Sequence, residues 1–402
     1  MAFPAGPGRV AVAEQWLVVG AGPPCLAWEV RSVKRLTTWI QGLLVGLTVS
    51  ALMLAGVTPA QAATKVTVLD VFLAVGQSNM SGRGLPSGTT DDPADPRIFQ
   101  YGAKLRTFRN ATIPLDMLDV AKGISPATTF ARGYVKNQPA NVGVLIIPAA
   151  RGATAFTNSV GTPTWNVGTA SAPEFDLPAL AVTQTREGIA AAVAAGYTVK
   201  LKGILWHQGE GNWWMSTSAY SAKLDELIGY FRSQLAAPQL PFVVGGLAPE
   251  GIAAQPGLAN VDKSHKGTPS RVAYTAFAPS MAGGVNDGDA FHFSRTGDEF
   301  LGRTYLTAFW RAAKITYGPV PIITGTAKVG STLTAVPGAW AVSPVTLSYQ
   351  WYHSGTAVVG ATAATYVVPS GDLGRTITVK VTGSKTGYTT TSRTSAGTKV
   401  AQ

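Results

Sequence analysis

Cysteine is nearly absent: the chain of 402 residues has one, Cys25. It stands in an N-terminal stretch that reads as a removable leader, so the mature protein is expected to hold neither a disulfide nor a thiol nucleophile. Histidine is almost as scarce. His207, His265, His292 and His353 are far apart, none belongs to an H-E-x-x-H helix, and no zinc or other cofactor is called for. Charge is thin as well, with 13% charged residues and a net +11 that never gathers into a long Lys/Arg run. That spread argues against a nucleic-acid groove and leaves only a weak attraction to acidic polymers.

What is present begins with that leader. VRSVKRLTTW, then IQGLLVGLTVSALMLAGV, then TPAQA give a basic region, an apolar segment and a small-residue cleavage site at Ala60-Gln61-Ala62. This is the pattern of a secretory signal peptide, so residues 1–62 are expected to be removed and the protein exported. An uncleaved anchor is the competing reading, disfavoured because Gln41, Thr48 and Ser50 dilute an apolar run that is short for a span.

Residues 63–317 alternate apolar runs with helical periods. VTVLDVFLAV (66–75), RIFQY (97–101), VGVLIIP (142–148), LKGILWH (201–207) and PFVVGGL (241–247) read as strands, several apolar on both faces as in a covered parallel sheet. Helices are expected over 179–195, over 218–235, where Leu224, Leu227, Ile228 and Phe231 share one face, and over about 295–314. Such alternation predicts an open α/β sheet with its ligand site at the C-terminal ends of the strands. Residues 318–402 differ abruptly, being rich in Thr, Val, Gly and Ser with short alternating runs such as TLSYQWYH and TITVKVTG, and predict a separate all-β module. Trp351 is its expected core tryptophan, whereas Trp340 and Tyr352 are open to either packing or stacking on a sugar.

Three stretches carry the residues of covalent ester hydrolysis, which needs a nucleophile, a base, a group to orient the base and donors for the oxyanion. In AVGQSNMSG, Ser78 follows the first strand, a place that suits a nucleophile or an ordinary turn. In GDAFHFSRTGDEFLG, Asp289 and His292 are three residues apart, so one loop can present a carboxylate to an imidazole. In GILWHQGEGNWW, a strand ends in Gln208, Glu210 and Asn212, which are either an amide donor with a polar network or a polar loop beside packing tryptophans. His207, on the strand beside Trp206, reads as packing before catalysis.

Taken together and in this order, GQSNM, WHQGE and DxxH resemble the SGNH hydrolase superfamily, in its sialate O-acetylesterase and acetylxylan esterase branch (carbohydrate esterase family 6). GISPATTFARGY and LPFVVGGLAP are similar to further segments of that family, so the resemblance runs from about Leu69 to Tyr305. It implies a flavodoxin-like α/β/α sandwich with a parallel sheet, Ser78 as nucleophile, His292 as base and then acid, and Asp289 orienting it. It also implies an oxyanion hole made by the N–H groups of Ser78 and Gly123 and the amide of Gln208, with no metal or organic cofactor. Where relatives often carry G-G-T, this chain has Gly152-Ala153-Thr154, and the neighbouring Arg151 either contacts substrate or caps a loop. Glu210 and Asn212 are further substrate-binding candidates. The C-terminal module resembles the immunoglobulin-like repeats of secreted bacterial enzymes, as a spacer or as a contact with polysaccharide or cell wall.

The expected function is a secreted acetylesterase acting on an acetylated carbohydrate of the acetylxylan type, free of nucleic acid and, once the leader is removed, of the membrane. A sialate O-acetylesterase is the alternative within the family. A noncatalytic carbohydrate- or wall-binding protein is the alternative of another class, opposed by the complete set of Ser78, His292 and Asp289.

Overall fold

The computed structural model describes residues 65–86, 95–119 and 123–402. The leader, its cleavage site and Cys25 lie outside the described residues. These described residues form one compact unit.

Its first part is built on strands β1 (Val68–Gly76), β2 (Ile98–Tyr101), β3 (Phe108–Asn110), β4 (Val142–Pro148), β5 (Thr198–His207), β6 (Phe242–Gly245) and β7 (Thr275–Ala278). Between and after them lie helices α1 (Ser78–Ser81), α2 (Pro126–Val135), α3 (Leu177–Ala194), α4 (Thr217–Gln234), α5 (Pro249–Ala254), α6 (Leu258–Arg271) and α7 (Arg295–Ala312). The strands form one sheet in the order β3-β2-β4-β1-β5-β6-β7. All neighbours run parallel except the edge strand β3, which is antiparallel to β2. With the β2–β3 pair set aside as an addition, β4-β1-β5-β6-β7 has the 2-1-3-4-5 order of a flavodoxin-like sheet. In that order the connections diverge beside β1, and a crevice opens at the carboxyl ends of β1 and β5.

Alternation along β1 sends its side chains into two separate cores. Leu69, Val71, Leu73 and Val75 pack on one face with Leu177 and Ala181 of α3, Leu224 and Phe231 of α4, and Val261 of α6. Phe72 and Ala74 pack on the other with Phe130 and Tyr134 of α2 and Leu301, Tyr305 and Phe309 of α7. Phe72 meets Phe130, Tyr134 and Phe309 edge to face, which adds directional contact to apolar burial. A sheet apolar on both sides and covered on both sides is therefore what positions the loops at its carboxyl edge.

The C-terminal part contains β8 (Ile322–Thr324), β9 (Thr332–Val336), β10 (Thr346–His353), β11 (Thr356–Ala357), β12 (Thr365–Val367), β13 (Thr376–Ser384), β14 (Thr391–Thr394) and β15 (Thr398–Lys399). They form two antiparallel sheets, β11-β10-β13-β14 with β15 beside β13, and β12-β9-β8. Leu333, Trp351, Ile377, Val379 and Val381 fill the space between. Trp351 is the core tryptophan expected: it stacks on Tyr366 and donates its indole N–H to Ala363 O at 2.9 Å. The ring of Trp340 lies against Gly318 and Gly383, where a Cβ would come within 2.3 and 2.2 Å of it, and it also lines a surface cavity with Asn137, Thr307 and Arg311. The β module is fastened to α7 by the stacked Trp310 and Tyr317, by Arg393 over the Tyr317 ring, and by the Thr316 hydroxyl donating to Gly383 O at 2.7 Å.

Candidate active site

Strand β1 ends at a glycine for a steric reason. Gly76 has φ +131°, and a Cβ on it would sit 1.9 Å from the carbonyl oxygen of His207 on β5. With that close approach allowed, the Gln77 N–H donates to the same oxygen at 2.7 Å, and the chain turns into the single helical turn of α1. Ser78 thereby emerges in the crevice between β1 and β5.

The base comes from the loop between β7 and α7. His292 Nε2 stands 2.9 Å from Ser78 Oγ, and its Nδ1 stands 2.6 Å from Asp289 Oδ2. The other oxygen of Asp289 accepts the backbone N–H groups of Phe291 at 2.8 Å and His292 at 3.0 Å. Burial alone would raise the pKa of Asp289, but those two N–H groups and the His292 ring outweigh it and hold the carboxyl below its ordinary value. An ionised Asp289 places the ring proton on Nδ1, so Nε2 is left with a lone pair toward the serine hydroxyl.

The residues flanking Ser78 hold the other two loops against it. Gln77 Oε1 accepts from Gln208 Nε2 at 3.1 Å and from the N–H groups of Gly209 and Gly211 at 3.4 and 3.3 Å. Asn79 donates to Glu210 Oε1 at 2.7 Å and to Phe291 O at 3.0 Å, and accepts the Phe293 N–H at 3.1 Å. The loop after β5 and the histidine loop are thus both tied to the turn that carries the serine.

A cavity of about 670 Å³ opens over this arrangement, within the usual size of a small-molecule site. Ser78, His292, Glu210 and Gly152 line it, together with Arg83 and Asp119, which no sequence motif marks. Arg83 donates to Asp119 at 2.7 Å and to Gly82 O at 3.0 Å, and Asp119 also accepts the Gly152 N–H at 3.0 Å. Burial works to raise the pKa of Asp119, yet the Ser81 hydroxyl, the Arg83 guanidinium and the Gly152 N–H together keep it below the ordinary carboxylate range. No local pattern marks this group, since its members come from three loops and meet only through the fold.

Several expected site residues are placed elsewhere. Gln208 is fully buried with its amide donating to Gln77, to Thr154 O and to Asn212 Oδ1, while its Oε1 accepts from Tyr220 at 2.8 Å. Gly123 donates its N–H to Gly82 O at 3.3 Å and buttresses the turn beneath Ser78. The structure therefore does not bring these two expected oxyanion donors to the cavity: both are spent on internal acceptors. Asn212 is buried too, bonded to the Phe156 backbone on both sides of its amide. Arg151 contributes a backbone N–H to Gly76 O at 3.0 Å, and its side chain is not part of the lining. His207 is buried with Nε2 against Gly246 O at 3.0 Å and its ring edge-on to Phe293, a packing role. Trp213 and Trp214, which one of the two readings of this loop had packing, are 49% and 61% exposed, with Trp213 in the cavity wall.

Ala153 explains one departure from the resemblance. It has φ +57°, a left-handed conformation that glycine adopts freely and alanine at a cost, so the glycine common in relatives is the residue this backbone favours.

The model of a carbohydrate esterase family, sialic acid-specific acetylesterase, matches residues 68–311. No curated protein matches the chain. Among solved structures, a protein from Arabidopsis thaliana is similar at 20% identity and a TM-score of 0.50, over 60% of this chain and 98% of that one. NanS is similar at 18% identity and a TM-score of 0.51, over 62% of this chain and 98% of its own. At such identities the two structures speak for the fold alone.

Proposed function

This chain belongs to the sialic acid-specific acetylesterase family of carbohydrate esterases, and we propose that it removes O-acetyl groups from polysaccharide through an acetyl-enzyme on Ser78. Membership makes it a carbohydrate O-acetylesterase. The polysaccharide substrate, the serine mechanism, the acetylxylan esterase branch (carbohydrate esterase family 6) and secretion are our own reading. The observation that carries the mechanism is the continuous chain from Ser78 Oγ through His292 to Asp289, at 2.9 and 2.6 Å, at the wall of one cavity.

In this mechanism Ser78 Oγ attacks the acetyl carbonyl while His292 Nε2 takes its proton, and Asp289 stabilises the resulting imidazolium. The tetrahedral intermediate collapses as His292 returns that proton to the sugar oxygen, which leaves as a hydroxyl. Water, deprotonated by His292, then attacks the acetyl carbon and releases acetate and free serine. The oxyanion donor in this reading is the Ser78 N–H, since the Gly152 N–H nearby is held by Asp119.

Purified protein is expected to hydrolyse 4-nitrophenyl acetate, and Ser78→Ala to lose about 10³-fold or more of that turnover. Equal rates would remove Ser78 from the mechanism. The family's own description favours a second reading, a sialate O-acetylesterase with the same chemistry. Acetate release compared across acetylated xylan, acetylated glucomannan and acetylated sialic acid separates the two.

We further propose that residues 1–62 are an export leader, 63–317 the esterase domain and 318–402 an immunoglobulin-like domain. The two packed antiparallel sheets around Trp351 support that last assignment. A spacer role for it, held against α7 through Trp310, Tyr317 and Arg393, is preferred over a direct contact with polysaccharide or cell wall.

A further inference from the structure

Trp213 and Trp214 differ from the other tryptophans among the described residues. Trp165, Trp206 and Trp351 are fully buried, Trp310 stacks between Tyr134 and Tyr317, and Trp340 packs on two glycines. Trp213 and Trp214 instead leave about half or more of their surface in solvent; Trp213 lines the cavity that holds Ser78, and Trp214 follows it in the same loop.

The backbone beneath these two rings is fixed. Asn212, just before them, is locked by its side chain to Phe156 and by its N–H to Gly209 O at 2.8 Å. Just after them, the Met215 N–H donates to Asn212 O at 2.9 Å. The Trp213 carbonyl presses so closely on Gly257 that a Cβ there would come within 2.2 Å of it. Large apolar rings on a rigid loop, kept out of the core, form a preorganised surface whose exposure is costly unless something covers it.

We propose that Trp213 and Trp214 are a stacking platform for the sugar rings next to the acetylated one, so that the enzyme takes a neutral polysaccharide chain. The carbon face of a pyranose carries C–H groups of slight positive charge, which suit the electron-rich face of an indole, and stacking removes apolar area from water on both partners. Charge supports a neutral ring. Asp119 and Glu210 line the cavity, and the guanidinium of Arg83 is already engaged by Asp119, so an acidic sugar meets carboxylates there. The choice of carbohydrate as occupant rests on the acetylesterase reading given above.

Binding tests the platform without hydrolysis. In the Ser78→Ala protein, retardation by soluble xylan in affinity electrophoresis is expected, and adding Trp213→Ala and Trp214→Ala together should weaken it about tenfold or more. Trp214→Ala alone, at the more exposed position, should lose part of the affinity, and Trp214→Phe should restore some of it. In the active protein, Trp214→Ala should lower kcat/KM on acetylated xylo-oligosaccharide about tenfold more than on 4-nitrophenyl acetate, mainly through KM. No retardation of the Ser78→Ala protein, or retardation unchanged by the tryptophan substitutions, overturns the platform. Failure of the esterase reading has a different sign: the wild-type chain releases no acetate from any acetylated carbohydrate, whatever the gels show.

Discussion

Asp289→Asn is the sharpest probe of the site, because the structure dictates which way the new amide must face. One carboxylate oxygen accepts two backbone N–H groups, from Phe291 at 2.8 Å and His292 at 3.0 Å, and the other faces His292 Nδ1 at 2.6 Å. An asparagine there keeps its carbonyl oxygen on the two N–H donors, since turning it round would set an NH₂ group against both. Its NH₂ then points at Nδ1, which must become an acceptor, and the ring proton moves to Nε2. With that proton between Nε2 and Ser78 Oγ, the imidazole no longer serves as a base. The loop geometry survives while the tautomer is wrong, and kcat should fall about 10³- to 10⁴-fold, some 4–5.5 kcal/mol of barrier. The assay is steady-state hydrolysis of 4-nitrophenyl acetate at neutral pH, with near-ultraviolet circular dichroism to show that the fold is kept. Asp289→Ala gives the comparison: it leaves both N–H groups without their acceptor and should lose stability as well as rate. A folded Asp289→Asn enzyme within tenfold of wild type would refute the assigned roles of Asp289 and His292.

Two further substitutions test the frame around the site. Ala153→Gly relieves a left-handed alanine at φ +57° and should stabilise the protein by about 1 kcal/mol, read as a rise of roughly 2 °C in thermal midpoint. No rise would show that the loop is not strained. His265 is fully buried with Nε2 3.0 Å from the Tyr220 hydroxyl, and burial, helped by His207 and Arg271, pushes its pKa down to about 3. The unfolded chain takes up a proton near pH 6.5 and the folded one does not, so stability should drain as pH falls from there toward 3, by about 5 kcal/mol in all from this group. Urea unfolding at neutral and mildly acid pH should therefore show a smaller acid loss for His265→Gln than for wild type, and equal losses would contradict the linkage.

The legibility of each element follows from how its residues face the core. β1, β4 and the second half of β5 are readable because both of their faces are covered, which leaves unbroken apolar runs, α3 because it is rich in alanine, and α4 and α7 because an apolar stripe recurs along them. α6 gave no such signal: Ser264, His265 and Thr268 are among its buried residues, so polar side chains occupy its inward face. β3 is three residues with none fully buried, and β7 is TAFA, where two alanines dilute the β-branched and aromatic pattern of a strand. Within the site, sequence supplied residue types but not directions. Gln208 and Asn212 are polar residues at a strand end, yet they point into the interior and spend their amides on Gln77, Thr154 and Phe156. Arg83 and Asp119 are unreadable for the opposite reason, since each is ordinary until the fold brings them together, 36 residues apart, and Gly152, visible as part of a G-A-T stretch, meets Asp119 only there.

The reading that did succeed rested on three short motifs occurring in one order, and the hydrogen bonds supply a physical reason for their company. Gln77 reaches forward to Gln208, Gly209 and Gly211 of the second motif, and Asn79 reaches to Glu210 of the second and to Phe291 and Phe293 around His292 of the third. A serine between two such amides is held by both loops at once. Changing either loop would leave a buried amide without its partner, at a cost of about 1–3 kcal/mol each. The flanks of Ser78 thus couple the nucleophile's position to that of its base more tightly than the bond from Ser78 to His292 does. That coupling is why a five-residue stretch, weak by itself, becomes informative once the distant motifs stand beside it.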